Sequence, residues 1–99
     1  MYIYTITMIE DIDKKHGAIG SVRCFGYSTD FDYVDNCVRK NATDLHEYLY
    51  KYAIIEKVEE GLYPCATERW LYKFDFENGV FNPIEVPESL RHIVNFGIG

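Results

Sequence analysis

The segment Glu68–Phe76 constrains the fold more than any other part of the chain, because its side chains alternate in polarity with the two-residue period of a β-strand. Only Leu71 interrupts the polar side. The aromatic side holds Trp70, Tyr72, Phe74 and Phe76, and the charged side holds Arg69, Lys73 and Asp75. The Asn78–Gly79 pair that follows predicts a tight hairpin turn. A hairpin alone is marginally stable in water, so the rest of the chain must supply a sheet.

Four more segments have strand composition, rich in β-branched and aromatic residues. Residues 2–9 predict a first strand, and residues 19–27 predict a strand that pairs back against it across a long loop. Residues 50–58 predict a third, central strand. Residues 80–84 return from the hairpin turn, and Pro83 places that strand at a sheet edge because proline cannot donate to a ladder.

One helix follows the second strand. Ser28 or Thr29 is expected to cap it, with a start near Asp30 and an end near Asn41. We also expect a short helical turn at 43–47 and another after Pro87. The predicted fold class is α+β: a single domain over residues 1–99, with an antiparallel sheet of about five strands and one main amphipathic helix on one face. Apolar residues at helical spacing define the buried side of that helix: Phe31, Val34, Cys37 and Val38.

The chain carries 16 acidic and 10 basic residues, a formal net charge of -6. Such a field repels phosphate backbones and anionic membranes, so we expect neither as a partner. It attracts a basic protein groove. The sequence has no secretory signal and no apolar run of membrane-spanning length, which predicts a cytoplasmic protein. An odd number of cysteines without a C-x-x-C pair predicts reduced, mostly buried thiols: Cys24, Cys37 and Cys65.

No local pattern predicts catalysis, a metal site or a cofactor. The acids Asp30, Asp32 and Asp35 suit the positive end of the predicted helix, which explains them without a ligand. The three histidines, His16, His46 and His92, are far apart in sequence. Phosphate-loop, nucleophile-elbow and zinc-helix motifs are absent from the sequence. We therefore expect a non-enzymatic protein, while an assembled Cys–His pair stays open as an alternative.

The aromatic content of 16% is the most unusual feature of the composition. Six of these rings fall within 25 residues: Tyr48, Tyr50, Tyr52, Tyr63, Trp70 and Tyr72. One helix covers one sheet face, so we predict that the other face is an interaction surface. The predicted binding residues are Trp70, Tyr72, Arg69, Lys73, Tyr50 and Tyr52. A protein partner is the first expectation; a small nucleotide held by rings and cations is the second, and a homodimer the third.

The chain also resembles a known group of sequences. The residues that carry the likeness lie in four segments: 44–48, 52–64, 70–74 and 92–99. They resemble a family of short uncharacterised proteins from phages, prophages and Firmicutes. The resemblance implies a phage-type accessory protein that binds and blocks a host defence protein, or that sequesters the nucleotide signal of such a defence. It implies no catalytic residue.

Overall fold

The computed structural model describes residues 1–13, 15–61, 65–91 and 93–97. Five strands form one antiparallel sheet, and two very short strands form a separate ribbon. In chain order the strands are β1 (Tyr2–Ile9), β2 (Ile12–Asp13), β3 (Ala18–Ile19), β4 (Val22–Ser28), β5 (Tyr52–Glu59), β6 (Ala66–Asp75) and β7 (Val80–Ile84). One helix, α1, spans Phe31–Arg39. The α+β class with an antiparallel sheet and one helix is confirmed.

The main sheet has the order β4-β1-β5-β6-β7. The central position of β5 and the edge position of β7, which contains Pro83, agree with the sequence prediction. The first two predicted strands do pair antiparallel, with Thr5 opposite Tyr27. The second begins later than predicted, because Ile19 belongs to the β2–β3 ribbon inside the long loop. No proline interrupts β4, which forms the other edge.

Helix α1 packs on one face of the sheet. Its N-cap is Asp30, whose carboxylate accepts hydrogen bonds from the backbone N–H groups of Asp32 and Tyr33. The prediction of Ser28 or Thr29 as cap is therefore wrong; the Ser28 hydroxyl instead accepts from the Asp30 N–H. Two 3-10 turns, Ala42–Asp44 and Glu88–Leu90, stand where short helical turns were expected. Below α1, the core is built from Ile6, Met8, Val34, Val38, Leu45, Tyr50, Ala53, Ile55, Tyr72, Phe74 and Phe81.

The opposite sheet face is also covered, contrary to the prediction of an open face. Residues 85–91 and 93–97, called here the C-terminal segment, lie across it without regular secondary structure apart from the turn at 88–90. Leu90 and Phe96 from this segment are buried against Tyr52 and Ile54 of β5 and Leu71 of β6. The second core therefore comes from a stretch whose sequence has no strand or helix periodicity to predict its position.

The β6–β7 turn also differs from the prediction. Strand β6 ends at Asp75, and residues 76–79 form a four-residue turn in which the Gly79 N–H donates to the Asp75 carbonyl. Phe76 thus lies in the turn, mostly exposed, instead of continuing the aromatic face of the strand. No helix in the described part of the chain is long and apolar enough to cross a membrane.

Candidate functional site

The six residues predicted to bind do not form one surface. Trp70 and Tyr72 of β6 face α1, whereas Arg69 and the exposed Lys73 face the other side of the sheet. The strand period that suggested a binding face therefore separates the rings from the cations by the thickness of the sheet. A base stacked on these rings would lie on the opposite side of the sheet from both cations.

Tyr72 is fully buried and joins the sheet to the helix. Its hydroxyl donates to the Asp35 carboxylate at 2.6 Å, and Arg39 donates to the same carboxylate at 2.9 Å. Burial, followed by the hydrogen bond to Asp35, raises the pKa of Tyr72 far above its ordinary value of 10.0. The phenol is therefore a neutral donor committed to an internal partner.

The other three predicted rings are also engaged in packing. Trp70 is half-buried, with its ring centroid 4.4 Å from that of Phe31. Tyr50 is buried beside α1, and Tyr52 is buried under the C-terminal segment. These rings contribute area to the two cores, which is the more frequent role of aromatic side chains in a small domain.

Arg69 is held in a buried ion pair. Its Nε lies 2.8 Å from Oε2 of Glu56, a side chain with no solvent exposure, and its guanidinium also donates to the carbonyl of Ile93. The second carboxylate oxygen of Glu56 accepts from the Phe96 N–H at 2.7 Å. The pair therefore fastens the C-terminal segment to the sheet.

An open cleft of about 550 Å³ adjoins this pair. Arg69 and Arg91 line it, together with Glu68 and Glu85. Arg69 is already paired with Glu56, and Arg91 lies 3.0 Å from the carboxylate of Glu88. Among the described residues that line the cleft, both guanidinium groups have carboxylate partners and acids share the wall, an arrangement that disfavours a phosphate ligand.

A different group of aromatic side chains is exposed. Tyr48 is 94% exposed and Phe76 is 69% exposed, and both rings contact the buried ring of His46, with centroid distances of 6.2 Å and 5.4 Å. His46 stacks on Phe74 at 3.7 Å. Its Nδ1 lies 2.6 Å from the Tyr50 carbonyl, which can only accept, so Nδ1 carries the hydrogen. We call Tyr48 and Phe76, on their His46 support, the exposed aromatic pair.

The backbone that presents Tyr48 is strained. Five non-glycine residues between positions 41 and 48 have positive φ: Asn41, Thr43, Asp44, Glu47 and Tyr48. The left-handed conformation costs an L-residue roughly 1–2 kcal/mol, and a β-branched residue such as Thr43 is an outlier there. Backbone strain of this kind concentrates at functional segments. The strained residues and the exposed Tyr48 ring therefore lie in the same loop, between α1 and β5.

The two chain segments that carry the exposed aromatic pair are acidic in sequence. Segments 41–50 and 74–82 contain no lysine or arginine, but they contain four acids: Asp44, Glu47, Asp75 and Glu77. Hydrogen bonds, chiefly from the Asn78 side-chain amide, lower the pKa of Asp75 below 3.8, so this carboxylate stays ionised. The two segments that carry the pair are therefore acidic in sequence, and three exposed lysines lie directly beyond their ends: Lys40, Lys51 and Lys73.

The chain was compared with protein-family models, curated proteins and solved structures. No protein-family model, curated protein or solved structure matches the chain.

The cysteines and the described histidines form no common cluster. Cys24 and Cys65 are exposed and Cys37 is half-buried, so the expectation of mostly buried thiols is wrong. His16 is exposed and bonds to Asp13 at 2.9 Å, while His46 is buried. His92 lies outside the described residues. Among the described residues, no group of three or more His, Cys, Asp or Glu side chains could hold a metal ion.

In the sequence, Tyr48 belongs to the cluster of rings and Phe76 to the predicted aromatic strand face, yet neither is among the predicted binding residues. The sequence did not indicate where strand β6 ends or how the chain turns between α1 and β5. Phe76 is exposed because β6 stops one residue earlier, and Tyr48 because the chain turns through left-handed residues between α1 and β5. Two acids next to these rings in sequence, Glu47 and Glu77, are the only local hint of a solvated position.

Proposed function

We propose that this protein acts by binding a protein partner, and that the exposed aromatic pair is the centre of the contact. The observation that carries the proposal is the placement of Tyr48 and Phe76 outside the core on a buried histidine support. Tyrosine and phenylalanine are enriched at the centres of protein interfaces, where large rings displace water at low conformational cost.

The negative charge of the chain favours a partner with a positively charged surface. The net charge of -6 and the local acids Asp44, Glu47 and Glu77 favour a surface rich in lysine and arginine. A basic groove that holds nucleic acid has this chemistry. The resemblance to short phage and prophage proteins gives the proposal its most concrete form, an accessory protein that blocks such a host defence protein in the host cytoplasm.

The test compares variants in a binding assay with bacterial lysate. Native mass spectrometry and light scattering first establish the mass of the free protein. Immobilised wild type is then expected to retain a basic protein, and Tyr48→Ser/Phe76→Ser is expected to weaken that retention by about tenfold or more. Added salt should slow association, because the net negative charge of the chain acts through long-range attraction.

Tyr2→Ser/Val94→Ser is the matched control, since both side chains are exposed hydrophobic residues at other positions. It should retain the partner as well as wild type. Equal retention by Tyr48→Ser/Phe76→Ser would refute the proposal. A stable homodimer that buries Tyr48 and Phe76 would instead support an assembly role, and a co-purified nucleotide would support sequestration.

A further inference from the structure

The last described part of the C-terminal segment, residues 93–97, is called here the strap. The carbonyl of Val94 accepts from the Ala66 N–H of β6 at 2.9 Å. Gly97 packs against the Thr7 side chain of β1, two strands away from β6. Neighbouring strands lie about 4.8 Å apart, and each residue reaches at most about 3.5 Å. The strap must therefore cross the sheet in a nearly extended conformation.

The sheet holds the strap through hydrogen bonds to its backbone. Oε1 of Glu56 accepts from the Phe96 N–H at 2.7 Å, and the Arg69 guanidinium donates to the Ile93 carbonyl. Hydrogen bonds to charged side chains are stronger than bonds between neutral groups. Every peptide carries these backbone groups, so the same side chains can hold another extended segment.

Two positions of the strap restrict which side chains fit. Phe96 is buried, and the Arg69 guanidinium lies over its ring at 5.5 Å. At Gly97, an added Cβ would lie 2.6 Å from the Thr7 hydroxyl, too close for a side chain. Gly97 has no positive φ, so limited space and not backbone conformation requires glycine there. The site therefore selects an aromatic residue followed by glycine.

The strap leaves part of its site unsatisfied. Thr5 and Thr7 are buried, and neither hydroxyl has a hydrogen-bond partner among the described residues. Both lie on the strap side of the sheet, because Thr5 pairs with Glu56 and Thr7 contacts Gly97. A buried hydroxyl without a partner lowers stability. A segment with polar groups near these hydroxyls would make contacts that the strap lacks.

From these observations we infer that the strap occupies a peptide-binding site within its own chain, and that a segment of a protein partner displaces it. The segment is extended, carries an aromatic residue followed by glycine, and supplies hydrogen-bond partners to Thr5 and Thr7. A second copy of the chain would bring the same strap and leave the same hydroxyls unpartnered, so exchange between copies gains no contact. This surface differs from the exposed aromatic pair, and the inference does not depend on that pair.

The first probe is a labelled synthetic peptide with the sequence of residues 91–97, titrated with the full chain by fluorescence anisotropy. Gly97→Ala should bind it about tenfold more tightly than wild type, because the added methyl group collides with Thr7 and weakens the competing strap. The same peptide with alanine in place of its glycine should bind neither protein. One substitution is thus expected to have opposite effects in the chain and in the peptide.

The second probe concerns the unpartnered hydroxyls. A displayed library keeps the phenylalanine and glycine of the first peptide and randomises its other positions. Selection on the wild-type chain is expected to enrich side chains that can bond to a hydroxyl. Thr5→Val should bind an enriched peptide about tenfold less tightly, yet melt at or above the wild-type temperature, because it removes a buried hydroxyl without a partner. A residue that only packs would not lose binding while gaining stability.

Matched controls accompany both substitutions. Gly26→Ala is the control for Gly97→Ala, since an added Cβ at Gly26 meets no atom within 4 Å. Thr29→Val is the control for Thr5→Val, since Thr29 is exposed. Both should bind the two peptides like wild type. The Tyr48→Ser/Phe76→Ser variant should also do so, which makes failure of the proposed function and failure of this inference distinguishable.

A disulfide lock decides the question if Gly97→Ala does not fold. An added Cβ at Gly97 would lie 3.6 Å from the Cβ of Cys24, a separation that suits a disulfide. In Thr7→Ala/Gly97→Cys the collision with the threonine hydroxyl is absent, and mild oxidation is expected to join the new thiol to Cys24. The oxidised form should not bind the 91–97 peptide, and reduction should restore binding.

Three results would overturn the inference. The first is equal peptide binding by wild type and Gly97→Ala, or by the oxidised and reduced forms of the lock. The second is a selection that enriches no polar residues, or an enriched peptide that binds Thr5→Val as tightly as wild type. The third is a free protein that forms a dimer with exchanged straps, since the occupant of the site would then be a second copy.

Discussion

The phenol of Tyr72 and the carboxylate of Asp35 connect strand β6 to helix α1 through one hydrogen bond of 2.6 Å. Asp35 is ordinary in sequence, an acid in the first half of a helix. The tertiary structure makes it the acceptor of a buried phenol and the partner of Arg39, four residues later. An acid expected only to suit the helix and a ring predicted to bind a partner thus stabilise the fold together.

We predict that Tyr72→Phe lowers the free energy of unfolding by about 1.5 kcal/mol at neutral pH, because a hydrogen bond to a charged acceptor is lost. Since the folded-state pKa of Tyr72 is raised, its stabilising contribution is present below pH 10.0 and declines as the unfolded phenol ionises above it. The difference between wild type and Tyr72→Phe should therefore shrink at alkaline pH. Urea unfolding across this pH range measures both effects.

Tyr27→Phe is the matched control, because this ring is mostly exposed. It should change stability by less than about 0.5 kcal/mol. A difference between wild type and Tyr72→Phe that grows above pH 10.0 would contradict the raised pKa.

At the scale of elements, the start of α1 depends on one side chain. Asp30 caps two backbone N–H groups, while the neighbouring Thr29 has no part in the cap. Several residues in this stretch have suitable oxygens, and the sequence predicted Ser28 or Thr29 as the cap with a helix start near Asp30. The exit from β4 decided it by giving Asp30 the extended conformation that an N-cap requires.

Asp30→Ala should therefore lower the free energy of unfolding by about 1 kcal/mol, whereas Asp30→Asn should keep most of the cap. Thr29→Ala is the control and should have little effect. Thermal unfolding followed by far-ultraviolet circular dichroism measures the three variants. A larger loss for Thr29→Ala than for Asp30→Ala would contradict the assigned cap.

The loop between α1 and β5 contains strained backbone. Thr43 has φ of 53°, which a β-branched residue rarely adopts, whereas Lys40 has φ of -87°. Thr43→Gly should stabilise the fold by about 0.5–1 kcal/mol, because the gain from relieved strain exceeds the added freedom of the unfolded chain. Lys40→Gly should have the opposite sign. Chemical unfolding distinguishes the two, and destabilisation by Thr43→Gly would show that the loop is not strained.

At the scale of the whole molecule, the ion pair of Arg69 and Glu56 joins the central strand, its neighbour and the C-terminal segment. Arg69 bonds to Glu56 and to the Ile93 carbonyl, and Glu56 accepts from the Phe96 N–H. The Arg69 guanidinium also lies over the Phe96 ring at 5.5 Å. Removing either partner of such a pair would leave the other as a buried charge without a counter-ion, which strongly destabilises the fold.

Glu56→Gln should lower the free energy of unfolding by about 3 kcal/mol, because Arg69 would keep a buried charge without its counter-ion. The Phe96 amide should also exchange faster as the C-terminal segment loosens. Glu68→Gln removes the carboxylate of a more exposed pair with Lys57 and should cost at most about 0.5 kcal/mol. Equal losses in the two variants, measured by urea unfolding, would contradict the role of the buried pair.

Local pattern predicted the elements of this protein well. Alternating side chains define β6, β-branched composition defines β1 and β5, and helical spacing defines α1. These properties depend on a few consecutive residues, and so the sequence expresses them directly. The central position of β5 and the edge position of Pro83 followed from the same local chemistry.

What the sequence by itself determined is therefore the α+β class, the strands and helix, and the acidic charge. Only the tertiary structure decided which rings are exposed and which are buried. An irregular C-terminal segment covers the face expected to be open, and a strained loop and an early strand end expose Tyr48 and Phe76. The physical reason is that burial depends on long-range packing between segments far apart in the chain, which no local periodicity encodes.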